Sequence, residues 1–223
     1  MENKNMLFGL RPIIEAIEAG RQIEKVYLKK GADGVLLGEL AELCRQRRIR
    51  VQWVPVEKLN RLAQGNHQGA VALTASIEYV GLHELLESIP EDETPLLVVL
   101  DGVTDVRNFG AIARSAECAG AHGLVTSLKS SAPVNAESMK SSAGALSLIP
   151  VCRAGSIRGT LKILQSEGFR IVAATEKSDK LVRGRPERPT AIVMGSEDTG
   201  ISKEVLEVVR LWLAIRFAAA SSR

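Results

Sequence analysis

The chain has 223 residues, of which 45% are hydrophobic and 25% charged, and its formal net charge is +3. This composition is that of a globular protein with one large or two modest domains, and no apolar run approaches the roughly 18 residues that a membrane-spanning helix needs. The polar start does not predict a signal peptide. The three cysteines (Cys44, Cys118 and Cys152) are far apart and belong to no Cys-x-x-Cys or Cys/His cluster. Such cysteines predict reduced thiols in a cytoplasmic protein, with no metal site. Together with the lack of a long apolar run, this predicts no membrane partner.

The charge is unevenly distributed along the chain. Residues 1–76 carry a net charge of +4, residues 77–94 a net −6, and residues 95–223 a net +5. Two basic blocks of this size fit binding to a phosphate backbone, although a scatter of solvated surface charges explains the totals equally well. The acidic stretch, which contains Pro90, is the predicted linker between an N-terminal domain (1–76) and a C-terminal domain (95–223).

Hydrophobic periodicity predicts alternating helices and strands in both basic blocks. For the first block, the prediction is a helix from Pro12 to Gly20, a strand at 25–28, a helix at 36–47, a strand at 50–54, a helix at 56–63 and a strand at 70–73. After a short helix at 82–86, the second block has strands at 96–100, 123–126, 169–173, 191–194 and 211–215, and helices at 109–119, 136–145, 157–165 and 203–209. Nearly all-apolar strands alternating with helices are typical of a parallel sheet covered on both faces. The predicted fold is therefore α/β, with a small N-terminal α/β domain and a doubly wound parallel sheet.

Ligands bind at the carboxyl ends of parallel strands, so the segments that follow the strands are candidate sites. The first such segment, residues 101–114, runs from a buried strand into a helix, with Asn108 as the predicted N-cap and Arg114 in the second helical turn. An asparagine and an arginine near a helix N-terminus suit an anionic ligand such as a phosphodiester. An ordinary capped helix with one solvated arginine explains the same residues.

The second segment, Gly195-Ser196-Glu197-Asp198-Thr199-Gly200, has the glycine spacing of a P-loop. However, Ile201 stands where a P-loop has the lysine that reaches the terminal phosphates, and the two acids inside the loop would repel a triphosphate. A nucleoside triphosphatase is therefore disfavoured, and so is a dinucleotide dehydrogenase, because no strand is followed by G-x-G-x-x-G. The turn still suits a less anionic ligand that binds backbone groups. The third segment, the polar turn around Thr175, is by itself a plain loop.

Together these segments resemble the SpoU (TrmH-type) family of the SPOUT superfamily of RNA methyltransferases. The resemblance in the second block rests on Asn108-x-Gly110-x-x-x-Arg114, Pro133-Val134-Asn135, Lys140-Ser141-Ser142-Ala143-Gly144-Ala145 and Met194-Gly195-Ser196-Glu197-x-x-Gly200-Ile201. In the first block, Phe8–Pro12 and His67–Val71 resemble the RNA-substrate-binding domain that precedes the catalytic domain in many members. A mild departure is Val106, where the family usually has proline.

The resemblance implies a trefoil-knotted C-terminal domain and a homodimer that transfers a methyl group from S-adenosyl-L-methionine to a ribose 2′-hydroxyl of RNA, with ribosomal RNA expected. It places Asn108, Arg114 and Glu197 at the reaction centre. We expect Arg114 to act as a phosphate clamp and not as a base, because a guanidinium group keeps its proton at neutral pH. The cofactor would be held largely by backbone groups near Thr175, Met194, Gly195, Ile201 and Ile215. The RNA contacts expected in the first block are Arg11 and His67.

After Ile215 the chain departs from the family pattern. Family members continue with a proline/methionine turn, a Ser-Leu-Asn-x-Ser-like motif and a closing helix, whereas this chain reads Arg216-Phe217-Ala218-Ala219-Ala220-Ser221-Ser222-Arg223. We therefore expect an incomplete knot, weakened cofactor binding, lowered activity and an exposed apolar patch where the helix would pack. The alternative is a non-catalytic RNA-binding protein on the same scaffold. A pure assembly partner has no positive support in the residues.

Overall fold

The computed structural model describes residues 6–63, 65–175, 186–209 and 211–213. The chain divides into two compact units. The N-terminal unit contains the residues up to Glu78 together with Pro133–Ala136, and the C-terminal unit contains Tyr79–Ala132 and the residues from Glu137 onward.

The N-terminal unit is a mixed four-stranded sheet with helices on both faces. Its elements are β1 (Met6–Phe8), α1 (Leu10–Glu18), β2 (Ile23–Lys29), α2 (Val35–Gln46), β3 (Arg50–Val54), α3 (Val56–Leu62) and β4 (Ala70–Thr74). The strand order is β1-β4-β2-β3, in which β2 and β3 are parallel and the other pairs antiparallel. The unit therefore has the small α/β fold that the alternating pattern predicts.

Alternation along β2 assigns its side chains to two different clusters, because successive residues of a strand point to opposite faces. Val26 and Leu28 are fully buried in a cluster with α1 and α2, whereas Tyr27 packs with α3 on the other face. The three isoleucines of α1, at positions 13, 14 and 17, recur at helical spacing and join the first cluster. Burying each of these large side chains contributes roughly 1.5–3 kcal/mol.

The C-terminal unit is built on a seven-stranded sheet in which every neighbouring pair is parallel. Its strands are β5 (Tyr79–Val80), β6 (Leu96–Asp101), β7 (Gly123–Ser127), β8 (Val151–Ala154), β9 (Arg170–Ala174), β10 (Thr190–Gly195) and β11 (Leu211–Leu213), in the spatial order β11-β9-β10-β6-β7-β8-β5. Its helices are α4 (Leu82–Glu87), α5 (Val106–Cys118), α6 (Ala136–Ser141), α7 (Ile157–Ser166) and α8 (Lys203–Leu206). This arrangement confirms the predicted parallel α/β fold.

The central strand β6 explains why its sequence is apolar throughout. Its residues 96–100 are all buried, because both faces of the strand are covered. Leu97 and Val99 pack with α4, α7 and α8 in one cluster. A strand of this kind cannot show the alternation that marks a half-exposed strand.

Part of the acidic stretch 77–94, which was predicted as a linker, forms secondary structure in the C-terminal unit. Residues 79 and 80 form β5, which pairs with β8 at the edge of the large sheet. The helix α4 follows, and its Leu85 is fully buried among the sheet side chains, whereas Glu84 and Glu87 are exposed. The acidic residues therefore mark the solvated face of an amphipathic helix, and an apolar face at helical spacing accompanies them.

The start of α5 also differs from the prediction. Asp105, not Asn108, is the N-cap: its Oδ1 accepts hydrogen bonds from the backbone N–H groups of Arg107 and Asn108, both at 2.8 Å. An aspartate caps as well as an asparagine does, and starting at Val106 makes Asn108 the third residue of the helix. Arg114 consequently lies in the third turn.

Other differences concern short or interrupted elements. The strands β1, β5 and β8 were not predicted, because runs of two to four residues carry little periodic signal. The helix predicted over 136–145 ends at Ser141, since Ala143 and Gly144 have φ angles of +50° and +93°. The last predicted strand is described only to Leu213, and residues 214–223, with the departure from the family pattern, lie outside the described residues.

Candidate functional site

Three loops meet at the carboxyl edge of the large sheet. The strand β10 lies between β6 and β9, and Gly195 pairs with Asp101 at the ends of β10 and β6. Thr175 follows the last residue of β9. Because the three strands are parallel and adjacent, the segments after them leave the sheet side by side, where open parallel sheets bind ligands.

The segment after β10 is a tight turn held by its own hydrogen bonds. The backbone of Ser196 and Gly200 exchanges two of them, N–H to carbonyl, at 3.1 and 3.0 Å. The Ser196 hydroxyl accepts from the Thr199 N–H at 3.1 Å and lies 2.7 Å from the Thr199 hydroxyl. Gly200 has a φ of +68°, which favours glycine. The turn is thus preorganised and presents backbone groups to the cavity beside it.

Gly195 and Asp101 hold this turn against the sheet. A Cβ at position 195 would overlap the backbone of Gly200 and Ile201, so only glycine allows the approach. On the other side, Oδ2 of Asp101 accepts a hydrogen bond from the N–H of Ser202 at 2.7 Å. Sequence reasoning missed Asp101. The signal available was an acid directly after an apolar strand.

Asn108 and Glu197 meet although they are far apart in the sequence. The Asn108 side-chain amide donates from Nδ2 to Oε2 of Glu197 at 2.9 Å. This bond joins the first turn of α5 to the glycine turn. The structure therefore brings together two of the three residues predicted for the reaction centre.

Two cavities share the residues Ser196, Glu197 and Asp198. The first, which we call the β10 cavity, has a volume of about 460 Å³. Its lining includes Ala174, Thr175, Met194, Gly195, Ile201 and Leu206. Four predicted cofactor contacts, at positions 175, 194, 195 and 201, are thus brought together, whereas the fifth, Ile215, lies outside the described residues.

The second cavity, which we call the α5 cavity, has a volume of about 400 Å³ and lies at the start of α5. Asp105, Arg107 and Asn108 line it together with the shared carboxylates. The exposed side chain of Arg107 pairs with Glu137, whose Oε1 accepts from its Nε at 2.9 Å, and this hydrogen bond raises the pKa of the arginine. The α5 cavity is therefore lined by a cation that sequence reasoning missed.

Arg114 is not among the described residues that line either cavity. Its side chain is exposed, and it follows Asn108 by six residues, which places it about 120° around the helix and about 9 Å along it. Arg107 and Arg114 are seven residues apart and so lie on nearly the same face of α5. The predicted convergence of Arg114 with the glycine turn is thus not seen in these cavities.

The two motifs of the N-terminal unit adjoin each other. The N–H of Gly9 donates to the carbonyl of Ala70 at 3.1 Å, and Arg11 is exposed in the first turn of α1. His67 is engaged within its own loop: Nδ1 accepts from the Gly69 N–H at 3.0 Å, and Nε2 lies 2.8 Å from Oδ1 of Asn60. These bonds give His67 a structural role in shaping the loop.

Comparison with known proteins identifies the family. The sequence model of the SpoU rRNA Methylase family matches residues 95–222. The chain belongs to this family. Residues 6–80 match a second model, described as RNA 2′-O ribose methyltransferase substrate binding. The resemblance noted from the motifs is thereby confirmed, with a substrate-binding domain in front of a methyltransferase domain.

Individual relatives agree with this assignment. YacO of Bacillus subtilis (strain 168), provisionally named a TrmH family tRNA/rRNA methyltransferase, is 30% identical over 92% of this chain and 84% of its own length. An uncharacterized tRNA/rRNA methyltransferase of Mycolicibacterium gilvum is 33% identical over 92% of this chain and 67% of its own. The crystal structure of the SpoU methyltransferase AviRb from Streptomyces viridochromogenes, in complex with AdoMet, superposes with a TM-score of 0.53 and 25% identity over 98% of this chain and 83% of AviRb.

None of the described helices is both long and apolar enough to cross a bilayer.

Proposed function

We propose that this member of the SpoU family transfers a methyl group from S-adenosyl-L-methionine to the 2′-hydroxyl of a ribose in RNA, with ribosomal RNA as the substrate. The observation that carries the proposal is the hydrogen bond between Asn108 and Glu197, which joins the polar start of α5 to the glycine turn. The match of the N-terminal residues to an RNA substrate-binding model and the cofactor of AviRb support it.

The residues of the β10 cavity fit S-adenosyl-L-methionine in size, shape and charge. A volume of about 460 Å³ lies within the roughly 300–1,000 Å³ of small-molecule sites. Met194, Ile201 and Leu206 offer apolar contacts to an adenine ring, and Gly195 exposes bare backbone beside them. The carboxylates of the turn attract a sulfonium cation, although they would repel a triphosphate. When bound, the cofactor supplies an electrophilic methyl group.

Asn108 and Glu197 position the hydroxyl that is to be methylated. Since Nδ2 of Asn108 donates to Glu197, Oδ1 of the same amide remains directed away as an acceptor for the ribose hydroxyl. Holding a nucleophile in one orientation contributes to the rate by removing the entropy cost of finding that orientation. Glu197 thus acts on the substrate through Asn108.

The arginines of α5 bind the phosphate next to the reacting ribose. Arg107 lines the α5 cavity, and Arg114 lies two helical turns further along nearly the same face. A guanidinium presents two parallel donors to a phosphate, and a positive charge near the hydroxyl stabilises the alkoxide that develops. We assign both arginines to this clamp, with Glu137 orienting Arg107.

The proposal is tested by incubating the protein with total RNA and labelled S-adenosyl-L-methionine. We expect alkali-resistant dinucleotides, which form only when a ribose 2′-oxygen is methylated, and we expect them from ribosomal RNA. Label on a base would contradict the ribose assignment. RNA binding without any transfer would instead support the non-catalytic alternative.

The clamp is tested by Arg114→Lys, which keeps the charge but removes the paired donors. We expect kcat to fall by about tenfold or more, because a transition-state donor is lost. Arg158→Lys is a matched control, since Arg158 pairs with Glu207 at the surface and is not among the residues that line either cavity. Near-full activity of Arg114→Lys would contradict the clamp.

The family resemblance supports three further proposals: a homodimer, a cytoplasmic location and a trefoil knot in the C-terminal unit. A chain of 24.0 kDa that elutes at twice its mass in light-scattering chromatography would support the dimer, and a monomer at all concentrations would contradict it.

A further inference from the structure

One face of the N-terminal sheet carries three cations around a single aromatic ring. The ammonium groups of Lys25 and Lys58 lie over the ring of Tyr27, at 5.1 and 5.5 Å from its centroid. Arg50 on β3 is paired in register with Lys25 on β2, so it lies beside it on the same face. We call Lys25, Tyr27, Arg50 and Lys58 the cationic face.

The ring is fixed by packing, and Lys25 and Lys58 are partly buried beside it. Tyr27 is half-buried and contacts the apolar cluster formed by Val54, Leu59 and Val71 under α3. A ring held in this way positions the ammonium groups, because a cation within about 6 Å of an aromatic face is attracted by its quadrupole. The packed ring therefore fixes where the two ammonium groups lie.

The charges that act on Lys25 are all of the same sign. Burial lowers the pKa of Lys25, and the nearby positive charges of Arg50 and Lys58 lower it further. Within the described part of the chain, no carboxylate forms an ion pair with Lys25 or Lys58. Like charges held close together repel one another and destabilise the free protein. A bound anion reduces this repulsion.

We propose that the cationic face binds the phosphodiester backbone of the RNA substrate, with Tyr27 as a positioning residue for the two lysines. The inference rests on the proposed function for the identity of the polyanion. One ring orients both ammonium groups. The surface therefore recognises phosphate groups and not the bases, and it binds RNA of any sequence with equal affinity. Its four residues are different from Arg11 and His67, the contacts predicted from the motifs.

The test is the affinity of the full chain for fluorescently labelled single-stranded and duplex RNA oligonucleotides, measured without cofactor over a range of salt concentrations. Lys58→Gln is expected to weaken binding about fivefold and to reduce the slope of log K against log salt by roughly one, the value for one lost phosphate contact. The matched control is Arg47→Gln, which removes one exposed charge at the end of α2 in the same unit.

Replacement of Tyr27 separates positioning from folding. Tyr27→Phe keeps the ring and is expected to bind RNA like the parent chain, whereas Tyr27→Leu keeps the apolar contact but loses affinity and salt dependence. Circular dichroism checks that each variant is folded. If Lys58→Gln and Arg47→Gln lose the same affinity, or if Tyr27→Leu binds as Tyr27→Phe does, the proposal is overturned.

Failure of this surface and failure of the proposed function give different results. If the cationic face binds RNA, Lys58→Gln raises KM for RNA more than it changes kcat, whereas Asn108→Ala lowers kcat. If no RNA is methylated at all, the proposed activity fails, yet the difference between Lys58→Gln and Arg47→Gln in direct binding still decides the inference.

Discussion

Replacing Gly195 by alanine changes the turn on which the proposed cofactor site depends. A methyl group at this position would overlap the carbonyl of Gly200 and the amide nitrogen of Ile201. These are backbone atoms, so they cannot rotate away as the end of a side chain would. The turn has to open, and opening it breaks the two hydrogen bonds between Ser196 and Gly200.

The cost follows from those bonds. Each backbone hydrogen bond contributes about 1 kcal/mol net, so forcing the turn open costs about 2 kcal/mol, which agrees with the roughly 1–3 kcal/mol of an overpacked site. If the cofactor binds only the closed turn, its affinity falls by the same free energy. The dissociation constant of Gly195→Ala should therefore rise about 30-fold.

Isothermal titration with S-adenosyl-L-methionine measures this difference directly. The matched control is Gly155→Ala in the same unit, because a Cβ at position 155 meets no atom within 4 Å. Circular dichroism confirms that both variants keep the sheet. An unchanged dissociation constant for Gly195→Ala, or an equal rise for Gly155→Ala, would refute the reasoning.

Two further predictions concern the bond between loops and the thiols. If Glu197 acts through Asn108, Glu197→Gln and Asn108→Ala should both lower kcat, and the double variant should lose less than the two separate losses together; additive losses would show independent roles. Burial raises the pKa of Cys44 and Cys152 to about 11, so only the exposed Cys118 should react with a thiol reagent at neutral pH. Because the folded pKa of the buried thiols lies above the ordinary 9.0, their contribution to stability is complete below pH 9 and is lost as the pH rises toward 11. Reaction of all three thiols in the native protein at neutral pH would contradict the reactivity prediction. Denaturant titrations that show no loss of stability between pH 9 and about 11 would contradict the pH dependence.

Elements with a strong local signal could be predicted, and those that depend on partners could not. The helix α2 and the buried strand β6 were placed to within about two residues, since their periodicity or apolar length is unambiguous. The cap of α5 was misassigned because Asp105 and Asn108 are equally good caps, and only the backbone path decides between them. The edge strand β5 is held by pairing with β8. A strand of two residues is too short for its sequence to predict this pairing.

The site divides in the same way. The glycine turn after Met194 is a local motif. The missing lysine and the two acids in it led to the prediction that the turn binds its ligand through backbone groups. The clustering of Asp101, Asn108 and Glu197 required the strand order, because β10 lies next to β6 only in the folded sheet. The pairing of Arg107 with Glu137 could not be predicted from sequence spacing, because the two residues are thirty positions apart.

The sequence alone determined the family, the alternation of helices with strands, and the segments proposed to carry the chemistry, because periodicity and short motifs are properties of neighbouring residues. Tertiary structure alone decided which of those segments touch. It placed β10 beside β6, Glu197 beside Asn108, residues 79 and 80 of the acidic stretch in the large sheet, and the ammonium groups of two lysines over the ring of Tyr27. Contacts between distant residues arise from packing and strand pairing, whose free energy depends on the whole chain.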